Sequence, residues 1–270
     1  QSQADQKRDP PAAISSLGLE HRGFSGYLMS EPNFSTAGPG IHLFHGLAST
    51  CSKKVRLCLY EKGIPFESHM LDLQKFEQHR PEYLAINPNG VVPALWHEGR
   101  PVVESSIIIE YLDDYFPQNP LKPQDPYERY QMRLWIKYSD EVAYKAVYAP
   151  TWQKLRGRAS EGLDSEKLRE TLSRIPTKER RERWEKMAHG GFTEDELRDA
   201  VDKMQSCLNQ VESNLAERTW LGGSTYSLAD IAIVPFIDRI MNLRPDFMSD
   251  GTYPRLKEWY GRMRERPAFQ

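Results

Sequence analysis

Hydrophobic positions in residues 41–115 change period in an order that predicts a small α/β domain. Ile41 to Phe44 is a short apolar run, and a second run covers Phe66 to Leu71. Between them, apolar residues recur at helical spacing from Val55 until Gly63, which predicts a helix that ends at the glycine. Two strands joined by a helix form a β-α-β unit, which normally has parallel strands and a right-handed crossover.

The rest of this region predicts a β-β-α unit. Glu77 to Ala85 reads as a short helix, and Val91 to Trp96 reads as a strand after an Asn-Pro-Asn-Gly turn. A hairpin turn at His97 to Arg100 leads into a further strand, Pro101 to Val103. A helix begins at Glu104. The two units together predict a compact α/β sandwich.

Everything after a proline-rich stretch looks helical. Residues 116–126 contain four prolines, which is typical of an interdomain linker. Leu197 to Leu215 carries apolar residues in steps of three and four, as a core-facing helix does. The pattern therefore predicts four segments: an irregular extension over residues 1–40, an α/β domain over 41–117, a linker over 118–126 and an all-helical domain over 127–270.

Composition narrows the classes of partner. The chain has 270 residues, 39% of them hydrophobic, and a formal net charge of −2, so neither nucleic acid nor an anionic membrane is an expected partner. No apolar run approaches the roughly 20 residues that span a bilayer.

Three cysteines indicate a reducing compartment, and we expect a cytoplasmic protein. The seven histidines show no pair at metal-ligand spacing, so no metal site is expected. The mixed charges at Arg180 to Arg183 predict a solvated helix face.

Pro93 is the most informative single residue for a binding site. A proline inside an apolar strand removes a ladder hydrogen bond, so a central strand should reject it. A cis peptide after Val92, with backbone groups left for a ligand, explains its presence. An edge strand, or a loop mistaken for a strand, explains it equally well.

Three short polar motifs stand at predicted helix starts. Glu104-Ser105 follows a strand directly, where free N–H groups and the helix dipole favour an anion, although ordinary capping is the commoner role. Ser49 to Ser52 offers hydroxyls and the Cys51 thiol at a strand-to-helix turn, where a donor lowers the pKa of a bound thiol. Capping is again the alternative, and Cys51 as a nucleophile has no identifiable histidine partner. Ser227 to Asp230 has capping-box spacing and reads as structural.

The order of these motifs resembles the glutathione transferase superfamily. The matching stretches are STCSKKVRLCLYEKGIPFE, AINPNGVVPALWHEGRPVVESSIIIEYLDDYFP and WLGGSTYSLADIAI. The resemblance implies a thioredoxin-like domain plus a helical domain, glutathione as co-substrate, a small electrophilic or aromatic acceptor and a homodimer. It implies that Pro93 lets Val92 bond the cysteinyl backbone, that Glu104 and Ser105 bind the γ-glutamyl head and that Gln78 holds the glycyl end.

A narrower resemblance points to bacterial glutathione-dependent β-aryl etherases of lignin breakdown. It covers KFEQHRPEYLAINPNGVVPALWHEG, VVESSIIIEYLDDYFP, DPYERYQMRLWIKYSDE and RRERWEKMAHGGFTEDELRDAV. The serine-type pattern assigns thiol activation to Ser49, and the etherase pattern assigns it to Ser52, which we favour. Tyr144, Tyr148 and Trp152 are expected to line the acceptor pocket. The expected reaction is cleavage of a β-aryl ether; a zeta-like isomerase and a non-catalytic glutathione-binding protein are the alternatives.

Overall fold

A four-stranded sheet and a following set of helices make up the structure. The computed structural model describes residues 39–155, 165–249 and 251–269, so the predicted extension over 1–40 lies outside the described residues except for its last two. The strands are β1 (Ile41–His45), β2 (Glu67–Met70), β3 (Ala94–His97) and β4 (Arg100–Val103).

Three helices accompany the sheet, and the others follow it. The first three are α1 (Thr50–Glu61), α2 (Pro81–Leu84) and α3 (Ser105–Tyr115). The later helices are α4 (Pro126–Tyr138), α5 (Tyr144–Leu155), α6 (Ser165–Ser173), α7 (Lys178–His189), α8 (Glu194–Asn214), α9 (Leu228–Leu243) and α10 (Pro254–Glu265). This is the thioredoxin-like domain followed by an all-helical domain that the sequence predicted; the exact domain boundaries stay predictions.

The sheet register brings the ends of four strands together along one border of the sheet. This border, which is formed by strand ends and not by an outer strand, is called the edge of the sheet below. The strand order is β2-β1-β3-β4, with β1 parallel to β2 and antiparallel to β3. Phe44 pairs with Ala94, and Ala94 pairs with Val103 on its other side. The end of β1, the start of β3 and the end of β4 therefore lie side by side. The end of β2 joins them, because Met70 pairs with His45.

The predicted helix over Glu77–Ala85 is wrong in form. The segment holds a 3₁₀ turn at Glu77–His79 and a single helical turn, α2, which starts at Pro81. Arg80 has extended backbone angles, φ −70° and ψ 144°, because the residue before a proline is disfavoured in the helical region. Pro81 therefore separates the 3₁₀ turn from α2, whereas the apolar pattern had predicted one continuous helix.

The predicted strand Val91–Trp96 is shorter than expected. β3 begins at Ala94, so Pro93 precedes the ladder and removes no hydrogen bond from it. The Val92–Pro93 peptide is cis, as one of the two alternatives predicted. Pro93 is thus a residue of the loop that enters a central strand.

The sheet and the later helices share one apolar core. A single buried cluster contains Leu43 of β1 and Val55 of α1 together with Met132 of α4 and Phe236 of α9. Helix α4 passes into a π-helical turn, Ser139–Ala143, before the chain continues as α5. Within the described residues, no helix has the length and apolar character needed to cross a bilayer.

Candidate functional site at the edge of the sheet

The start of α1 presents the hydroxyls that the sequence singled out. Ser49 is the N-cap and half-buried, and its Oγ accepts the Ser52 N–H at 3.1 Å. A serine at this position satisfies one of the free N–H groups of the first turn. The Ser49 hydroxyl keeps its own proton available for donation to a ligand.

Ser52, which we favoured from the sequence, lies deeper than Ser49. Its side chain is 0% exposed, and its Oγ accepts the N–H of Gly46 at 3.2 Å. This bond ties the first turn of α1 to the loop that leaves β1. A group with no exposed surface has no face to offer an incoming sulfur, so the geometry favours Ser49 over Ser52.

Cys51 connects the start of α1 to the start of α3. Its thiol lies close to the Ser105 hydroxyl and to Tyr144 of α5. Burial raises the pKa of the Cys51 thiol, and the nearby Lys54 charge opposes that shift only in part. Cys51 therefore stays a neutral thiol at neutral pH, which argues against the nucleophile alternative.

A buried lysine stands one helical turn further along α1. Lys54 is fully buried, and its ammonium donates to Ser106 Oγ at 2.9 Å, Ser139 Oγ at 3.0 Å and Asp140 Oδ1 at 2.9 Å. All three of its donors are thus satisfied, as a buried ammonium requires. Ser139 and Asp140 belong to the π-helical turn, so this irregular turn supplies acceptors from the helical domain. The result is a positive charge held in place one helical turn beyond the start of α1.

The start of α3 has a constrained backbone. Glu104 is the N-cap of α3 with φ 69° and ψ 111°, a left-handed value that a non-glycine residue adopts at a cost of about 1–3 kcal/mol. Such outliers cluster at ligand-binding positions. Glu104 is exposed and Ser105 is buried, so the pair offers a carboxylate to solvent and a hydroxyl to the turn at Cys51.

Unpaired polar atoms mark the segment after β2. Within the described residues, Gln78 Oε1 and both ring nitrogens of His79 are buried and have no hydrogen-bond partner. Burial, together with the charge of Arg180 on α7, lowers the pKa of His79 to about 4, so the ring is neutral at pH 7. Buried polar atoms normally have partners, so exceptions single out a position for a functional role.

Two donors hold the loop before β3. Tyr83 Oη and Asn87 Nδ2 donate to the Val91 carbonyl at 2.6 and 2.7 Å. This contact fixes the approach to Val92 and Pro93, which lie at the sheet edge beside the end of β1. The loop is therefore tied down at the position where the sequence placed the backbone contact to glutathione.

An aromatic row runs from the thiol site along α5. The rings of Tyr144 and Tyr148 are 5.6 Å apart, those of Tyr148 and Trp152 are 6.0 Å apart, and Trp152 meets the edge of Trp184 of α7 at 4.4 Å. Trp184 in turn packs against Phe76 beside the Gln78 segment, with 4.5 Å between ring centroids. The three predicted pocket residues thus form one continuous surface.

The arginines of α7 correct one expectation. The sequence predicted a solvated face at residues 180–183, but Arg180 donates to the Asn89 carbonyl and Arg183 lies 4.4 Å over the Tyr148 ring. Both are half-buried, whereas Glu182 is exposed. The arginines were missed because the direction in which a helix presents them depends on its packing.

Lys54 and His79 were also missed. Lys54 occupies a position in a helical run where a lysine normally reads as exposed, so no sequence signal separates it from Lys53. His79 directly follows Gln78, and only its burial with unpaired nitrogens distinguishes it. A third group, His42, Glu67 and His69, lies on β1 and β2. The strand register, more than any spacing along the chain, brings these three together.

Comparisons with known proteins agree with this arrangement. The profile of the glutathione S-transferase N-terminal domain matches residues 48–114, and that of the C-terminal domain matches residues 176–267. Protein LigF of Sphingobium sp. (strain NBRC 103272 / SYK-6) is 35% identical over 239 residues, covering 86% of this chain and 89% of that protein. Glutathione S-transferase U8 of Arabidopsis thaliana is 29% identical over 218 residues, which is 78% of this chain and 79% of that protein.

Solved structures show the same fold. The crystal structure of β-etherase LigF from Sphingobium sp. strain SYK-6 superposes with a TM-score of 0.80 at 33% identity, covering 85% of this chain and 97% of that one. A theta class glutathione S-transferase from Xanthomonas axonopodis pv. citri, solved with glutathione bound, gives a TM-score of 0.65 at 23% identity, over 86% and 96% of the two chains. With both domain profiles matched and a relative at 35% identity over most of its length, this chain belongs to the glutathione S-transferase family.

Proposed function

We propose that this chain binds glutathione at the edge of the sheet and uses its thiolate to cleave a β-aryl ether. The observation that carries the proposal is the meeting of two helix starts, α1 and α3, at the contact between Cys51 and Ser105. Two helix N-termini that converge on one place favour bound anions there. The likeness to the β-etherase LigF supports the choice of reaction.

In this proposal, glutathione lies across the four segments of the edge. Its γ-glutamyl carboxylate accepts hydrogen bonds from Ser105 and the free N–H groups of α3, and Glu104 holds the ammonium. Its cysteinyl backbone pairs with Val92, whose loop is held in place before β3. The N–H groups of the Gln78 amide, the neutral His79 ring and the nearby Arg180 guanidinium offer donors for the glycyl carboxylate. The thiol then lies at the start of α1.

The thiolate is stabilised by position rather than by a strong base. The Ser49 hydroxyl donates to it, and the N–H groups of the first turn of α1 and the buried Lys54 charge favour an anion there. Sulfur attacks the carbon that bears the aryloxy group and the carbon–oxygen bond breaks. The bonding pair leaves with the oxygen as a phenolate, so the products are a glutathione thioether and a phenol.

Tyr144 is placed to assist the leaving group. It lies near Cys51, and burial raises its pKa to about 12, so it remains a protonated phenol at neutral pH. A protonated phenol can donate a hydrogen bond to the departing oxygen and so stabilise the phenolate, which then takes its proton from water. The aromatic row of Tyr148 and Trp152 then offers stacking surfaces for the aryl groups of the substrate.

Product analysis tests the reaction directly. The protein is incubated with glutathione and a β-aryl ether dimer, and products are identified by mass spectrometry. We expect a glutathione thioether and a free phenol in equal amounts. Net isomerisation of a test substrate with no thioether would favour the zeta-like alternative. No turnover with this ether or with a generic electrophile would favour a non-catalytic glutathione-binding protein.

Ser49→Ala is expected to raise the pKa of the bound glutathione thiol more than Ser52→Ala does. Ser49 is half-buried at the cap, while the Ser52 hydroxyl is fully buried against Gly46. The loss in turnover for Ser49→Ala should be about tenfold or less, because the backbone N–H groups of α1 still stabilise the thiolate. A factor of ten corresponds to about 1.4 kcal/mol of activation free energy. Ultraviolet absorbance of the bound thiolate, titrated with pH, measures the shift.

The two single variants serve as controls for each other. Ser52→Ala removes the bond to Gly46 and should lower stability without moving the thiol pKa. A shift in Ser52→Ala alone would restore the etherase-pattern assignment. An unchanged thiol pKa in both variants and in the double variant would leave the backbone N–H groups and the Lys54 charge as the activators, without a serine hydroxyl.

We further propose a homodimer, supported by an exposed apolar patch on α3 and α4. Ile107, Tyr130 and Leu134 are 59%, 52% and 42% exposed, and the ion pair between Arg133 and Glu110 places the two helix surfaces side by side. Contiguous exposed apolar surface commonly marks an interaction site. A cytoplasmic location fits the same proposal, because glutathione must be reduced and all three cysteines are free thiols.

The double variant Ile107→Glu, Leu134→Glu is expected to be a monomer, whereas the wild type should be a dimer. Introducing two carboxylates into a buried apolar interface leaves unpaired charges on each subunit. Light scattering coupled to size exclusion measures the mass, and Leu134→Met, which keeps the apolar surface, is the control. A monomeric wild type at all accessible concentrations would contradict the proposal.

A further inference from the structure

Three metal-ligating side chains lie together on one face of β1 and β2. His42 pairs with Glu67 across the parallel strands, and His69 follows Glu67 by two residues, so all three point to the same side of the sheet. His42 Nδ1 lies 3.1 Å from His69 Nε2 and 3.3 Å from Glu67 Oε2, and His69 Nε2 lies 3.5 Å from Glu67 Oε1.

These separations match one triangular face of a tetrahedral metal site. With ligands at about 2.0–2.2 Å from a zinc ion, tetrahedral geometry separates neighbouring ligand atoms by about 3.3–3.5 Å. The observed range of 3.1–3.5 Å therefore leaves room for the ion without a large rearrangement of the strands. Two imidazoles and one carboxylate are a donor set that suits zinc and its neighbours, not calcium or magnesium.

The surroundings hold the imidazoles in place and leave an approach open. Both histidines are 4% exposed, and the His69 ring stacks on Phe44 with 4.5 Å between centroids and 14° between planes. Stacking of this kind fixes the ring orientation, which a metal ligand requires. The Glu67 side chain is 57% exposed, so an ion can enter from its side and a water molecule can complete the coordination.

This cluster is separate from the glutathione site. His42 is the second residue of β1 and Glu67 is the first residue of β2, whereas the glutathione edge lies at the opposite ends of these strands. No residue of the cluster belongs to the start of α1, the start of α3 or the Val92–Pro93 loop. A cation here would join the edge strand β2 to the central strand β1 and leave the thiol chemistry untouched.

We propose that His42, Glu67 and His69 form a binding site for a zinc-class divalent cation that joins β1 to β2. The site takes one ion per chain. The ion has three protein ligands and one position open to water.

The test uses the full chain without a histidine tag, treated with a chelator and desalted. Zn²⁺ alone is titrated in competition with a chromophoric chelator, and Co²⁺ serves as a spectroscopic probe. We expect one ion per chain, a Co²⁺ spectrum of nitrogen and oxygen ligands without thiolate charge transfer, and a melting temperature that rises with Zn²⁺.

Variants locate the ion. Glu67→Gln changes an exposed side chain and should not impair folding, and it is expected to weaken Zn²⁺ binding at least about 100-fold, since loss of even an outer partner costs about 10–100-fold. His69→Gln should do the same. His97→Gln changes a buried histidine of β3 outside the cluster and should bind Zn²⁺ like the wild type.

Three outcomes would overturn the proposal. One is the absence of saturable binding near one ion per chain. Another is a Co²⁺ spectrum with thiolate charge transfer, which would place the ion on a cysteine. The third is wild-type affinity in both Glu67→Gln and His69→Gln.

Discussion

Replacing Asp230 by alanine is expected to lower the free energy of unfolding by about 3 kcal/mol or more, because three buried hydrogen-bond donors lose their acceptor. The carboxylate is fully buried and accepts the Leu221 N–H at 3.0 Å, the Ser227 N–H at 3.0 Å and the Trp259 Nε1–H at 2.8 Å. Alanine would leave three buried donors without an acceptor, each at a cost of about 1–3 kcal/mol. Urea unfolding followed by tryptophan fluorescence measures the loss.

The chain contains a matched control for this prediction. Thr193 and Glu196 form the same kind of capping box at the start of α8, but Thr193 is exposed and the Glu196 side chain, which also bonds Lys186, is 42% exposed. Glu196→Ala should cost about 1 kcal/mol, because water replaces the lost bond. Equal losses of unfolding free energy in Asp230→Ala and Glu196→Ala would show that burial does not determine how much each capping box stabilises the fold.

The pH dependence of Asp230→Asn tests the same group. Burial raises the pKa of Asp230 from 3.8 to about 6, so the folded chain holds this proton more tightly than the unfolded chain does. The resulting stability is present below pH 3.8 and is lost as the pH rises through 6. The stability gap between wild type and Asp230→Asn, which does not titrate, should therefore widen as the pH falls from 7 to 4. A constant gap would contradict the raised pKa.

Ser105→Ala is expected to weaken glutathione binding about 10- to 150-fold while slowing turnover at saturation much less. A hydrogen bond to a charged group is worth about 1.5–3 kcal/mol, and every 1.4 kcal/mol is a factor of ten in Kd. Ser105 begins α3 and its hydroxyl already meets the Cys51 thiol, so it faces the proposed γ-glutamyl position. Calorimetry with glutathione measures the affinity.

The neighbouring serine provides the control. Ser106 lies in the same helical turn, but its hydroxyl accepts from the buried Lys54 ammonium. Ser106→Ala should therefore lower stability and leave the glutathione Kd within about threefold. An unchanged Kd in Ser105→Ala would remove the proposed role of this residue.

Local patterns were enough for the architecture. The apolar run at Ile41 to Phe44, the helical spacing after Ser49 and the turn before β3 each depend on residues close in the chain, and the structure contains all three elements. The capping box at Ser227 is present because its four residues carry the whole motif. Pro81 and Pro93 show where these local patterns failed, since each stands at the start of an element that apolar spacing alone had begun several residues earlier.

Two features of the site depended on packing. Ser49 and Ser52 both carry hydroxyls at one helix start, and only their burial separates the half-buried cap from the fully buried side chain bound to Gly46. Lys53 and Lys54 are adjacent and chemically identical, yet one pairs with Asp238 near the surface and the other is fully buried against the π-helical turn. The direction of each side chain is set by elements far away in sequence.

The sequence by itself determined the strands, the helices and their order, because hydrophobic period, capping and turn residues act over a few positions. The tertiary structure alone decided which side chains meet. His42 and His69 stand 27 residues apart and come within 3.1 Å because β1 and β2 pair in one particular register. A shift of that register by one residue would turn the Glu67 and His69 side chains to the opposite face. Burial and register are properties of the assembled fold, so they appear only when the elements pack.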